Sequence, residues 1–215
     1  MQRIGIAIVA GVSVLGTSLA NAQNLLSNAG FEAAVNYDGN SSGNWAAFFG
    51  GAEFQMVESI APLPELPPID GTNVLQIGTF NTPDTFAGVV QQVAVEAGME
   101  YEFSIFAREI VQNGINAEFR IEWVDAGGAI IGDQFALNTP IQDLLTPDFQ
   151  AFSVSAEAPT GAVAANAVIA IATFGTAAPY EGFIQIDGTS FAKVPAPASL
   201  ALLGMGAMAT ARRRR

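Results

Sequence analysis

The chain has 215 residues, half of them apolar, and a formal net charge of −12. It contains no cysteine and no histidine, which excludes disulfides, thiolate metal sites, imidazole general bases and both Cys-His and Ser-His-Asp chemistry. The acidic balance excludes binding to a nucleic-acid backbone, whose phosphates it would repel. The basic residues are Arg3, Arg108, Arg120, Lys193 and Arg212 to Arg215, whereas all twenty acids lie between Glu32 and Asp187. Such placement predicts end segments that meet a membrane and a middle that sits in water.

Residues 1–22 read as a secretory signal peptide. Arg3 is the positive start, Ile4 to Leu15 is apolar, and Ala20-Asn21-Ala22 is a small-x-small cleavage site. The chain is therefore expected to be exported. Residues 23–193 then have the length of one ordinary domain.

Within that segment helical periodicity is nearly absent. Alternating stretches recur, punctuated by Gly, Pro, Asn and Asp. Candidate strands are Phe54–Ser59, Val74–Gly78, Gly88–Val95, Tyr101–Arg108, Ile115–Val124, Ala129–Gln134, Phe149–Ser155, Val163–Phe174 and Gly182–Ala192. In Tyr101–Arg108 the odd positions Tyr101, Phe103, Ile105 and Ala107 share one face. In Ile115–Val124 the apolar face carries Phe119, Ile121 and Trp123, opposite Glu118, Arg120 and Glu122. Asn113-Gly114 reads as a hairpin turn joining these two strands. That would place Arg108, Glu118, Arg120 and Glu122 side by side, as a solvated salt-bridge ladder. The proline-rich stretch 61–68 is read as a surface loop, since proline lacks the donor a sheet needs. Thr139 to Pro147 is read as another loop, with a short helical turn. Many short strands separated by turns predict an all-β fold, an antiparallel β-sandwich.

The last segment, 194–215, is tripartite. Val194, Pro195, Ala196 and Pro197 form a proline motif, Ala198 to Ala211 is an apolar run, and Arg212, Arg213, Arg214 and Arg215 close the chain. The run is short for a spanning helix, which needs about 20 residues. The arrangement resembles the PEP-CTERM sorting signal of Gram-negative bacteria, although Ala196 replaces the usual Glu between the prolines. The resemblance implies transient anchoring in the inner membrane, an exosortase-type sorting protease as partner, and delivery to the cell surface or extracellular matrix.

A second resemblance covers nearly all of 24–192. The segment opens with Asn24-Leu25-Leu26-Ser27-Asn28-Ala29-Gly30-Phe31-Glu32 and continues through Asn44-Trp45 and Glu96-Ala97-Gly98-Met99-Glu100-Tyr101-Glu102-Phe103-Ser104. It closes with Ile186-Asp187-Gly188-Thr189-Ser190. This ordered set resembles galactose-binding-like jelly rolls, in particular carbohydrate-binding modules of cellulases and xylanases. It implies a non-catalytic surface module that binds a polysaccharide. It also implies a structural calcium at Glu32 and Asp187, with backbone carbonyls of 70–73 completing the shell. Tyr37, Trp45, Arg108, Arg120 and Glu122 are the candidate ligand-binding residues, because sugars stack on exposed aromatics and take hydrogen bonds from polar groups. Trp123 is in phase with Phe119 and Ile121 and is expected in the core. The alternatives are a structural matrix protein without a specific ligand, or a glycoside hydrolase or lyase built on carboxylates.

Overall fold

Alternation sets the architecture: each long strand has one face that must leave water, and ten strands bury these faces in two layers. A computed structural model describes residues 23–50, 55–62 and 64–195. The signal-peptide segment with Ala20 and Ala22, the tail beyond Pro195 and Arg212 to Arg215 lie outside the described residues.

The strands are β1 (Ala46–Gly50), β2 (Gln55–Ile60), β3 (Val74–Phe80), β4 (Phe86–Ala94), β5 (Glu100–Asn113), β6 (Asn116–Val124), β7 (Thr139–Pro140), β8 (Gln150–Glu157), β9 (Ala164–Ala172) and β10 (Glu181–Lys193). A 3-10 turn at Gln142–Leu144 lies between β7 and β8. The first sheet has the order β1-β4-β9-β6-β7 and the second β2-β3-β10-β5-β8. Every pairing between these strands is antiparallel. The core lies between the sheets and is filled by inward side chains of both, among them Phe103, Phe119, Ile121, Ile169, Ile184 and Phe191.

Three sequence expectations change. Ala129–Gln134 is no strand; only Ile130 makes a bridge, to Val124, because Asp133 and Asp125 fold this segment into turns through their own side chains. β1 was not expected, since its Ala-Ala-Phe-Phe-Gly run does not alternate cleanly. Asn113-Gly114 does not close a hairpin within one sheet. β5 pairs with β10 and β8, β6 pairs with β9 and β7, and the turn crosses from one sheet to the other.

The opening motif is a structural device. The Asn24 side chain donates to Thr189 O at 2.9 Å and accepts from the Phe191 and Leu26 amides, which ties the first described residues to β10. Asn28 closes a tight loop by donating to Ala33 O and accepting from Ala33 N. Phe31 then plugs the core against Trp45, with ring centroids 5.4 Å apart.

Candidate functional site

The outer face of the first sheet carries a cleft of about 640 Å³. That is the size of a small-ligand pocket. Register explains its floor. One cross-strand row runs Phe48, Gly88, Ala170, Glu118, Pro140, and the next runs Gly50, Phe86, Ala172, Asn116. The phenylalanines of β1 and β4 each lie over a glycine of the other strand. A Cβ on Gly88 would meet the Phe48 ring at 2.6 Å and the Ile169 carbonyl at 2.3 Å, and one on Gly50 would meet the Phe86 ring at 2.5 Å. Only glycine lets these rings lie down on the sheet. The outward side chains that β9 contributes are those of Ala170 and Ala172, so the middle of the face stays low.

Two walls rise from this floor. On one side Phe48, Phe86 and Phe174 form a chain, each neighbouring pair 6.1 Å apart. On the other stand Glu118, Arg120, Gln134 and Phe135. Arg120 is only 6% exposed. Its Nη1 binds Glu118 Oε1, its Nε and Nη2 bind Glu122 Oε1, each at 2.8 Å, and its Cζ lies 5.0 Å over the Phe135 ring. Glu122 also accepts from Gln134 and Asn166, both at 3.1 Å. The guanidinium is therefore a strut between two carboxylates, and burial of the trio is sustained by complete pairing. Asn138 Oδ1, which also lines the cleft, is buried without a hydrogen-bond partner among the described residues.

The expected site residues separate. Arg120 and Glu122 belong to this wall. Arg108 does not: it lies on β5, in the other sheet, so the expected row beside Arg120 is corrected. There it is buried, donating to Gln185 Oε1 and to Leu66 O, and stacked 4.2 Å from the Phe149 ring. Burial lowers its affinity for the proton, while Asp187 and Asp148 oppose that shift. Trp45 is 0% exposed and is core, so it cannot stack on a ligand. Its indole supplies bulk beneath β1. Tyr37 is exposed, but its hydroxyl donates to Val57 O on β2, away from the cleft. Burial of that hydroxyl, with Glu58 adding its charge, pushes its pKa up. Trp123 is buried, as its phase predicts.

Glu32 and Asp187 do converge on one loop, as expected, but through different atoms. Asp187 Oδ2 accepts the Ile69 and Asp70 amides at 2.6 and 2.9 Å, and Oδ1 accepts that of Gly188 at 2.7 Å. Glu32 Oε1 accepts the Thr72 and Asn73 amides, and Oε2 the Thr72 hydroxyl. Gly71 makes this approach possible: its φ is +66°, and a Cβ there would sit 2.2 Å from Glu32 Oε1. The register shift in β10 between Asp187 and Ser190 aims Asp187 at the loop. The Asn73 and Thr72 donors hold the Glu32 carboxyl below its ordinary range. Burial pushes Asp187 up, against its three amide donors. A calcium ion takes about 6–8 oxygens. The loop here turns N–H groups toward both carboxylates, so amide donors already take the oxygens that would hold the ion. Among the described residues no three carboxylates, histidines or cysteines converge. As arranged, these residues do not fit the expected calcium.

The residues that sequence reasoning missed are Phe48, Phe86, Phe135 and Phe174. The available signal was local: Gly88 of β4 and Ala170 and Ala172 of β9 put small residues at neighbouring outward positions of one stretch of the face.

Residues 193–215 match the PEP-CTERM protein-sorting motif, beginning one residue before the expected boundary. No curated protein matches the chain in sequence. Among solved structures, the enzymatically active domain of tailspike protein 4 of bacteriophage CBA120 is similar with a TM-score of 0.60 and 18% identity. The match covers 80% of this chain and 21% of the tailspike chain, so the chain spans about a fifth of that protein. TmCBM61, solved with beta-1,4-galactotriose, is similar with a TM-score of 0.52 and 13% identity over 80% of this chain and 100% of that one. A CBM22 xylan-binding domain from Paenibacillus barcinonensis gives 0.52 and 17% identity over 81% and 97%. The chain thus joins a galactose-binding-like sandwich, of the fold found in carbohydrate-binding modules, to a PEP-CTERM sorting motif that marks an exported, surface-sorted protein.

Proposed function

We propose that the sandwich is a non-catalytic module that binds an uncharged polysaccharide in the outer-face cleft of the first sheet. The observation that carries this reading is the cleft itself: an alanine floor between phenylalanine walls, with amides and one fully paired guanidinium along the rim. Flat apolar sides suit the faces of sugar rings, and rim amides suit hydroxyls. The pairing of Arg120 to two carboxylates leaves no free cation for a uronate or sulfate. The surrounding excess of acids adds repulsion. Glycoside hydrolysis needs two carboxyl groups facing each other across the scissile bond. Glu118 and Glu122 instead sit on one strand and both hold Arg120, which favours binding over hydrolysis.

Before exosortase-type processing the tail anchors the chain in the inner membrane of a Gram-negative cell; the processed protein then displays the module at the surface. The test is affinity electrophoresis of residues 23–193 against xylan, β-1,4-galactan, β-glucan and polygalacturonate. Retardation by a neutral polymer, lost in Ala170→Leu, is the expected result. No retardation by any polymer would leave a structural surface protein as the better reading, and release of reducing sugar would revive the hydrolase.

A further inference from the structure

Both ends of the sandwich chain emerge at one end of the molecule, and the cleft lies on the side of the first sheet, toward the other. Asn24 bridges Ala192, and the Leu25 amide donates to Phe191 O at 2.8 Å, so the chain enters beside the end of β10. Lys193 is still paired, to Tyr101, and the Val194 amide donates to Glu100 O at 2.8 Å. The segments 95–99 and 158–163 close this same end. At the opposite end the chain turns through 81–85, 114–115 and 173–180. The cleft residues Phe86, Asn116, Ala172 and Phe174 stand there. β10 alone, at 13 residues, separates the two ends by roughly 40 Å.

The spacing to the tail is short. Only Pro195, Ala196 and Pro197 lie between Val194, which the sheet holds, and Ala198, where the apolar run begins. Fully extended, that step spans at most about 14 Å. The polar layer on one side of a bilayer is itself about 5–8 Å deep. A folded domain on so short a tether has little freedom to stand clear of the surface. The exposed side chains of Met99, Ile130 and Val163 cap this end and suit the boundary between headgroups and acyl chains. Glu96, Glu100, Glu157 and Asp125 also lie here, and among the described residues only Glu96 has an ion pair, to Lys193 at 3.0 Å, so the end suits a zwitterionic surface better than an anionic one.

We infer that, while the tail is in the membrane, the sandwich rests its Asn24–Lys193 end on the lipid headgroups and holds its cleft, on the side of the first sheet, toward the far end and clear of the bilayer. This rests on the reading of the tail as a membrane segment, and it leaves the cleft open to polymer on the periplasmic side of the inner membrane before any processing. The chain has no cysteine, so one label can be placed cleanly. Thr160→Cys marks the near end and Ala177→Cys the far end, both at exposed positions. Residues 23–215 carrying a fluorophore at either site are reconstituted into phosphatidylcholine vesicles with headgroup nitroxides, and flotation confirms attachment. Quenching several-fold stronger at position 160 than at 177 is expected. That contrast should fall when a flexible linker of about twenty residues is inserted between Lys193 and Val194. Equal quenching, stronger quenching at 177, or none at either position in floating protein would overturn the orientation. Failure to float would overturn the tail reading and the inference with it.

Discussion

Arg108 and Arg120 lie on opposite outer faces of the sandwich, and their surroundings assign them different work. Arg108 has no ion pair among the described residues. It is held by one amide oxygen, one backbone carbonyl and one aromatic face. Its removal strands one buried acceptor, Gln185 Oε1, and one part-buried acceptor, Leu66 O, without touching the cleft. Arg108→Ala should cost about 2–4 kcal/mol in urea unfolding and leave polysaccharide retardation unchanged. Asp187→Ala leaves three amides without an acceptor and should cost a similar ~2–4 kcal/mol, equally in calcium and in chelator. A midpoint that rises with calcium would mean that the 69–73 loop turns its carbonyls toward the carboxylates. Glu32 stabilises in the opposite pH sense from Asp187. Its carboxyl is held below the ordinary 4.5 in the folded chain, so its contribution is complete above that pH and fades as pH falls through the lowered value. The stability gap between the parent and Glu32→Gln, followed by thermal melting, should therefore close in acid.

At the scale of the element, β4 and β9 decide what the first sheet can hold. Their outer positions pass through Gly88, Ala170 and Ala172, and this sparse face leaves room between the two walls. Ala170→Leu fills the floor from a position where the backbone is already ordinary, so retardation by a neutral polymer should be lost with the melting midpoint little changed. Gly88→Val is expected to behave differently. Its side chain collides with Phe48 and with the Ile169 carbonyl, so both the β4–β9 ladder and the cleft should suffer, seen as a lower midpoint together with lost binding. Much of this level was legible in sequence. The phases of β5 and β6 put Tyr101, Phe103, Phe119 and Trp123 inside, where burial places them. The partners of those strands were not legible, because a two-residue turn fits a hairpin and a crossing between sheets equally well.

At the scale of the molecule, charge and topology set the setting for the site. Twenty acids against three basic residues over 23–193 repel polyanions, and the one guanidinium that lines the cleft among the described residues is already neutralised. Affinity for a neutral polymer should thus change little between low and high potassium chloride. A steep loss with salt would instead show a polyanionic ligand, as counterion release requires. Surface sorting follows from the short PEP-CTERM motif at 193–215, a linear signal that is legible in residue order. The class of fold was also set locally, because alternation with period two can bury only one face of a strand and so demands a second layer. The cleft was a tertiary decision. Phe48, Phe86, Phe135 and Phe174 come from four separate stretches of chain, and only strand order and register bring their rings around one alanine floor. The same register carried Arg108 to the far sheet and Trp45 into the core, because a side chain's role depends on what the neighbouring strands place opposite it.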